Sequence, residues 1–318
     1  MKKLLLMLLF TVSILSYGVE KVVVYTPSSM GGWLEEAVAE DFKAKTGVEV
    51  EFVGIKGMLT RMKLEKRRPK ADIVLGLSQA NVMEAKKEDL VASYKPENAD
   101  KISRDEFIID DEWYTTPFDY GSLAINANIK GIDKLPGSFE EMKGLKGQLI
   151  VPSPNSFTGQ EFMMWTVAVY GEKWKEFWTE LKPAIRTVTP GWNEAWAKFT
   201  VGEVPLMAGY ATSDLYFEEG SSYKSFIPEE GGYIYIQGAS LVNKSEIKDG
   251  AKLFMEYILD DNFQRAMAEK NYMLPVTDLE LGDEYMRVPT SSKIVTVSDK
   301  DLARVEEYKK ELIELLRK

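Results

Sequence analysis

KVVVYT at residues 21–26, VEVEFV at 48–53 and DIVLGL at 72–77 are three strand-like runs, each followed by a segment of helical spacing. After the first run, Leu34, Val38 and Phe42 recur at helical intervals through residues 33–45, and Gly47 stands where such a helix would end. Residues 58–66 follow the second run as a helix, and residues 81–87 follow the third. This alternation calls for a parallel sheet covered on both faces. Ligands of such sheets lie beyond the carboxyl ends of the strands. Here residues 27–32, 54–57 and 78–80, rich in Gly and Ser, form the loops at that edge.

EWYTTPFDYGSLAINANI at 112–129 is long, extended and aromatic, as a strand would be that leaves one lobe and enters another. A second α/β unit follows, with strands at 148–151, 185–188 and 205–210 and helices at 160–170, 173–181 and 193–199. GYIYIQGASLV at 232–242 is the return crossing, and residues 247–270 read as one long amphipathic helical region. A terminal helix spans 299–318, with Ser298 as its N-cap and Lys309, Lys310, Arg317 and Lys318 weighting its C-terminal half. The chain divides into lobe 1 (19–117 with 239–285), lobe 2 (118–238) and a C-terminal segment (286–318). Two α/β lobes joined by two crossings make a hinged clamp.

Residues 1–18 combine Lys2 and Lys3, an apolar run from Leu4 to Leu15, and small residues at Ser16 and Gly18, the parts of a cleaved secretory signal. The run is short for a membrane span. The chain has no Cys, so no lipid can be attached at a lipobox cysteine, and we expect free diffusion in a periplasm. Its net charge is −10, and removing Lys2 and Lys3 makes the mature chain more acidic. Such a protein repels nucleic acid and anionic membrane. With neither Cys nor His, disulfides, thiolate zinc sites, His metal sites, Ser-His-Asp triads and Cys nucleophiles are excluded. The basic run at 63–70 reads as a solvated helix end.

Aromatic residues beside Gly, Ser or Thr in loops are the informative feature: Trp33, Trp192, Tyr210, Tyr216 and Tyr272. Ring faces attract positive charge, each contact contributing roughly 0.5 to 2 kcal/mol, so several together can hold a flat cationic heterocycle. Trp165, Trp174 and Trp178 lie in apolar helices and read as core, and of Trp192 and Trp196, four residues apart, only one need face the cleft. Ser156 is either a helix N-cap or an oxyanion donor. Asp119 on the crossing segment either accepts from an aminopyrimidine or sits near a cation, or else makes a hinge hydrogen bond, and Asp214 is a weaker carboxylate candidate.

The blocks ADIVLGL (71–77), PFDYG (117–121), 155–171 with Trp165 and VYG, VTPGWNEA (188–195), YATS (210–213) with Tyr216, and NYMLPV (271–276) occur in an order that resembles the periplasmic thiamine-binding proteins. The similarity covers nearly all of the chain after residue 18. It implies a type II periplasmic-binding-protein-like fold of two doubly wound sheets, with the ligand between the lobes. The rings that hold it would be those matching Trp192, Tyr210, Tyr216 and Tyr272, with Trp33 and Ser156 on matching positions and Gly57 in the ligand loop. Two residues depart from the pattern: Pro27 stands where an aromatic is expected, and Lys56 stands where an acid is expected. Lysine there favours an anion, which keeps a phosphate ester open. The resemblance implies a monomeric receptor of an ABC importer that passes thiamine or thiamine phosphate to a permease, without catalysis, cofactor or metal. The alternatives are a receptor for a polyamine or ferric iron, or a carboxylate-dependent hydrolase using Asp119 and Asp214.

Overall fold

The computed structural model describes residues 19–317, so the signal-like segment and Lys318 lie outside the described residues. The first half opens with β1 (Lys21–Pro27), α1 (Gly31–Ala37), α2 (Ala39–Thr46), β2 (Glu49–Ile55), α3 (Met58–Glu65), β3 (Ile73–Leu77), α4 (Gln79–Lys87) and β4 (Val91–Ala92). The 13-residue β5 (Thr116–Asn128) then leads to α5 (Phe139–Met142), β6 (Leu149–Pro152), α6 (Phe157–Tyr170), α7 (Trp174–Leu181), β7 (Ile185–Thr189), α8 (Trp192–Thr200), β8 (Leu206–Tyr210) and β9 (Tyr223–Phe226). The return runs through β10 (Ile234–Val242), α9 (Asp249–Tyr257), α10 (Asp261–Asn271), β11 (Leu274–Pro275), α11 (Asp299–Leu302) and α12 (Val305–Arg317). Among the described residues no helix is long and apolar enough to cross a membrane.

β1 pairs in parallel with β2 and β3, as the alternating pattern requires. β10 and β5 are antiparallel additions, because they carry the chain between the halves in opposite directions. β5 is shared: its first part pairs with β10, and Leu123–Ala127 pair with β8. Beyond β8 lie β6 and β7, again parallel. Strand alternation feeds a core on each side of each sheet. In the first half Val22, Val24 and Leu75 meet Leu34, Phe42 and Phe254 on one face, while Tyr25, Val74 and Leu77 meet Met62 and Val82 on the other. In the second, Leu149, Val151 and Leu206 meet Phe162, Trp165 and Trp178, while Ile150 and Met207 meet Phe199 and Phe217. Trp165, Trp174 and Trp178 are core, as their helices imply.

Three elements differ from the pattern reading. The first helix is divided at the β-branched Val38, whose φ of −119° departs from helical geometry. Residues 258–260 turn tightly between α9 and α10, so the amphipathic region is two helices. Ser298 does cap, accepting from the Asp301 N–H at 3.2 Å, but a turn separates the short α11 from α12. α12 packs on α7, with Tyr308 at 5.2 Å from Trp174. The chain therefore connects the halves a further time before α11, where Gly232 and Lys293–Val295 exchange backbone hydrogen bonds.

Asp72 ties the start of β3 to its surroundings. Its buried carboxylate accepts from the Val23 N–H at 2.8 Å, from Lys244 at 2.8 Å and from Lys248 at 2.9 Å. Burial pushes this carboxyl up, but the two ammoniums and the amide outweigh it and leave it below its ordinary value. The resulting stabilisation is present above the unfolded carboxyl range, near ~3.9, and is lost as pH falls through the depressed folded value. Asp72→Asn is expected to cost about 2 kcal/mol in urea denaturation at pH 7, a loss that shrinks in acid. An equal loss at pH 7 and pH 2 would contradict this assignment.

Candidate functional site

The second half gathers its aromatic residues at the carboxyl ends of its strands. Pro190 and Gly191 end β7, and Trp192 is the first residue of α8. Trp196, one turn later, falls on the same face, and the two indoles stack at 5.1 Å and 14°. Tyr210 is the last residue of β8, 6.4 Å from Trp192. The 3-10 turn Ala211–Tyr216 then brings Tyr216 to 6.1 Å from Trp192 and 5.1 Å from Trp196. From the first half, Tyr272 meets Tyr216 edge to face at 4.4 Å. Trp192, Tyr210, Tyr216 and Tyr272 thus form one connected group drawn from both halves. They keep partial exposure, and Tyr216 is 43% exposed.

Tyr272 takes its place at a conformational cost. It caps α10 in the left-handed region, at φ 52°, where a side chain costs roughly 1 to 2 kcal/mol. Tyr272→Gly removes both the strain and the ring. Its unliganded stability should stay within about 1 kcal/mol of wild type, while ligand affinity falls about tenfold. A melting curve and an equilibrium titration on one preparation check both halves, and unchanged affinity would remove Tyr272 from the site.

Polar groups lie among the rings. The Tyr210 hydroxyl shares a 2.5 Å hydrogen bond with Thr158. Burial pushes the Tyr210 phenol up, as does nearby negative charge from Glu161 and Asp119, so the ring stays neutral. Burial raises the Tyr216 phenol to about 12. The Trp192 Nε1–H and the Ser213 hydroxyl are buried without a hydrogen-bond partner among the described residues.

The other expected site residues have different surroundings. Trp33 packs, half-buried, against the first-half core, with no ring contact to the Trp192 group among the described residues. The Ser156 hydroxyl donates to the Ser153 carbonyl at 2.7 Å and accepts from the Gly159 N–H at 3.2 Å, so its proton is spent on that carbonyl while its oxygen caps α6. Gly57 is exposed and starts α3 at φ 66°, a conformation that favours glycine. Lys56 beside it reaches across to Glu194 of α8 at 3.4 Å, which offsets the positive charge that the sequence puts in this loop. Pro27 packs against Gly76 at the end of β3.

Asp214 has a structural use for one oxygen: its Oδ1 accepts from the Ser225 N–H at 2.7 Å and fastens β9 to the turn. Asp119 is wholly buried, and its Oδ2 accepts from Gln237 at 3.3 Å, the hinge hydrogen bond considered above. Sequence reasoning missed Tyr235, 5.2 Å from Tyr210 and 5.5 Å from Phe157. The signal was there: Tyr233, Tyr235 and Gln237 alternate along the return crossing and share one buried face. Among the described residues there is no cluster of three or more His, Cys, Asp or Glu fit for a metal ion.

Residues 68–293 match the model of a family described as bacterial extracellular solute-binding protein. The thiamine-binding periplasmic protein of Brucella melitensis is 30% identical over 306 residues, 90% of this chain and 88% of that one. The protein of the same name from Escherichia coli is 28% identical, over 92% and 91%. A solved structure titled periplasmic thiamin binding protein superposes with a TM-score of 0.86 at 26% identity, covering 95% of this chain and 98% of that one. The chain belongs to the bacterial extracellular solute-binding protein family.

Proposed function

We propose that this chain captures thiamine or a thiamine phosphate between its two halves in the periplasm and delivers it to the permease of an ABC importer. The observation that carries the reading is the connected set of rings Trp192, Tyr210, Tyr216 and Tyr272, contributed by both halves and left partly exposed. A thiazolium is flat and permanently cationic, and neutral ring faces attract it most strongly where water is excluded. Closure follows from contact with both halves, because a ligand shifts a conformational equilibrium only through differential affinity. Ligand on Trp192 and Tyr216 alone would leave the clamp indifferent, and Tyr272 supplies the contact from the other side.

The lobes of the clamp are residues 19–117 with 239–285, and 118–238, with α12 of the C-terminal segment packed on the second. The chain acts by binding and release, without catalysis. The names of the Brucella melitensis and Escherichia coli relatives support both ligand and location, since both are called thiamine-binding periplasmic protein. The Lys56–Glu194 pair at the edge of the site leaves room for a phosphate ester, which would take Lys56 from Glu194.

A thermal-shift panel of thiamine, its mono- and diphosphate, spermidine and ferric citrate tests the reading. Ligand at 100 times its dissociation constant adds about 2.7 kcal/mol to stability. A rise with a thiamine form and none with spermidine or ferric citrate is expected. A rise with ferric citrate or spermidine alone would replace the ligand, and no rise with any compound would remove it.

A further inference from the structure

Asp119 lies in the middle of the hinge, on β5, opposite Gln237 of β10 and Pro275 of β11. It is 0% exposed. Its Oδ2 has one partner, the Gln237 amide at 3.3 Å, and its Oδ1 has none among the described residues. The Gln237 carbonyl oxygen lies beside Gly76 of β3. The groups near the carboxyl from the packed elements are Gln237 and Tyr235 of β10 and Tyr210 of β8, and Glu161 of α6 lies close to both of those tyrosines. Among the described residues no Lys or Arg pairs with it. An isolated carboxylate in such a place is costly, and burial pushes this carboxyl well above its ordinary value.

We propose that Asp119 is the proton-linked counter-charge of the captured ligand: a neutral acid in the free protein, it becomes a carboxylate when a cationic heterocycle enters beside Tyr210 and Tyr235. The O–H bond breaks, its electron pair stays on the carboxylate, and the proton goes to solvent. A positive guest supplies the charge that the free protein lacks, so affinity is coupled to pH. The inference rests on the reading that the site takes a cation. It adds discrimination: a neutral analogue of the same shape gains nothing from ionising Asp119, and its binding is independent of pH.

The sign follows from linkage. The guest lowers the pKa of Asp119, so thiamine binding tightens as pH rises, up to tenfold per unit, until the carboxyl of the free protein ionises. Between the two values about one proton is released per thiamine bound. The free protein has the opposite dependence. It holds this proton more tightly than the unfolded chain does, so Asp119 costs stability as pH rises from about 3.9 through the folded value. Asp119→Asn without ligand should therefore melt no lower than wild type at pH 8.

The test is calorimetric titration of thiamine in phosphate and in Tris, whose ionisation enthalpies differ, over the range where thiamine carries only its permanent charge. Release of about one proton by wild type and none by Asp119→Asn, with weakened binding in the variant, is expected. Tight binding with no proton release by wild type would overturn the inference and leave the ligand assignment standing. Absence of any binding across the range would sink both. Should Asp119→Asn fail to fold, the pH slope of wild-type affinity decides alone: a slope upholds the inference and a flat profile ends it.

Discussion

Trp192→Ala abolishes most of the thiamine-induced rise in melting temperature while lowering the unliganded melting temperature only slightly. Trp192 touches Trp196, Tyr210 and Tyr216, so its loss removes the ring that links the others. Rings at the centre of a binding site commonly carry 2 kcal/mol or more on truncation, and the cation contact adds to that. We expect a loss of about 3 kcal/mol, roughly 100-fold or more in affinity. The fold is buffered, because Trp196 still stacks on Phe217 at 5.6 Å and meets Phe199 at 6.0 Å. The unliganded cost should be about 1 kcal/mol. Trp192→Phe keeps a ring and should fall between. An unliganded chain that no longer unfolds cooperatively would make Trp192 a core residue.

Gly159→Ala is expected to cost about 4 kcal/mol or more, or to prevent folding. Gly159 sits in the first turn of α6, and a Cβ there would land on the carbonyl oxygens of Pro152 and Ser153, far inside van der Waals contact. Those are backbone atoms at the end of β6, so no side chain can swing away. Relief requires α6 to move off the strand, carrying Thr158 and its hydrogen bond to Tyr210 with it. Urea denaturation reads the loss. A variant with the wild-type midpoint would mean that α6 does not approach β6 this closely.

Much of this was legible because it depends on local pattern. Period-2 runs and Gly47 place the first sheet and the end of α2, and short aromatic blocks after strands mark the rings at the carboxyl edge. What escaped depends on partners remote in sequence. The antiparallel direction of β10 follows from where the chain returns, not from its composition. Trp33 has the same local setting as Trp192, a tryptophan after Gly, yet it lies against the first-half core because α1 packs on β2. Trp196 could not be separated from Trp192 by spacing, since four residues put both on one face, and both are in the ring cluster. Asp214 and Asp119 look alike as carboxylates. One is satisfied by an amide on β9, whereas the other keeps an unpartnered oxygen in the hinge, and no neighbour in sequence reports the difference.

A crystal structure of the chain with thiamine tests most directly whether rings from both halves close on a flat cation. The thiazolium should lie within van der Waals distance, about 4 Å, of the Trp192, Tyr210 or Tyr216 rings, with Tyr272 reaching it from the opposite half. Thiamine in the groove of about 730 Å³ behind β5, lined by Arg104, Tyr120 and Asp278, with the Trp192 cluster touching no ligand, would contradict it.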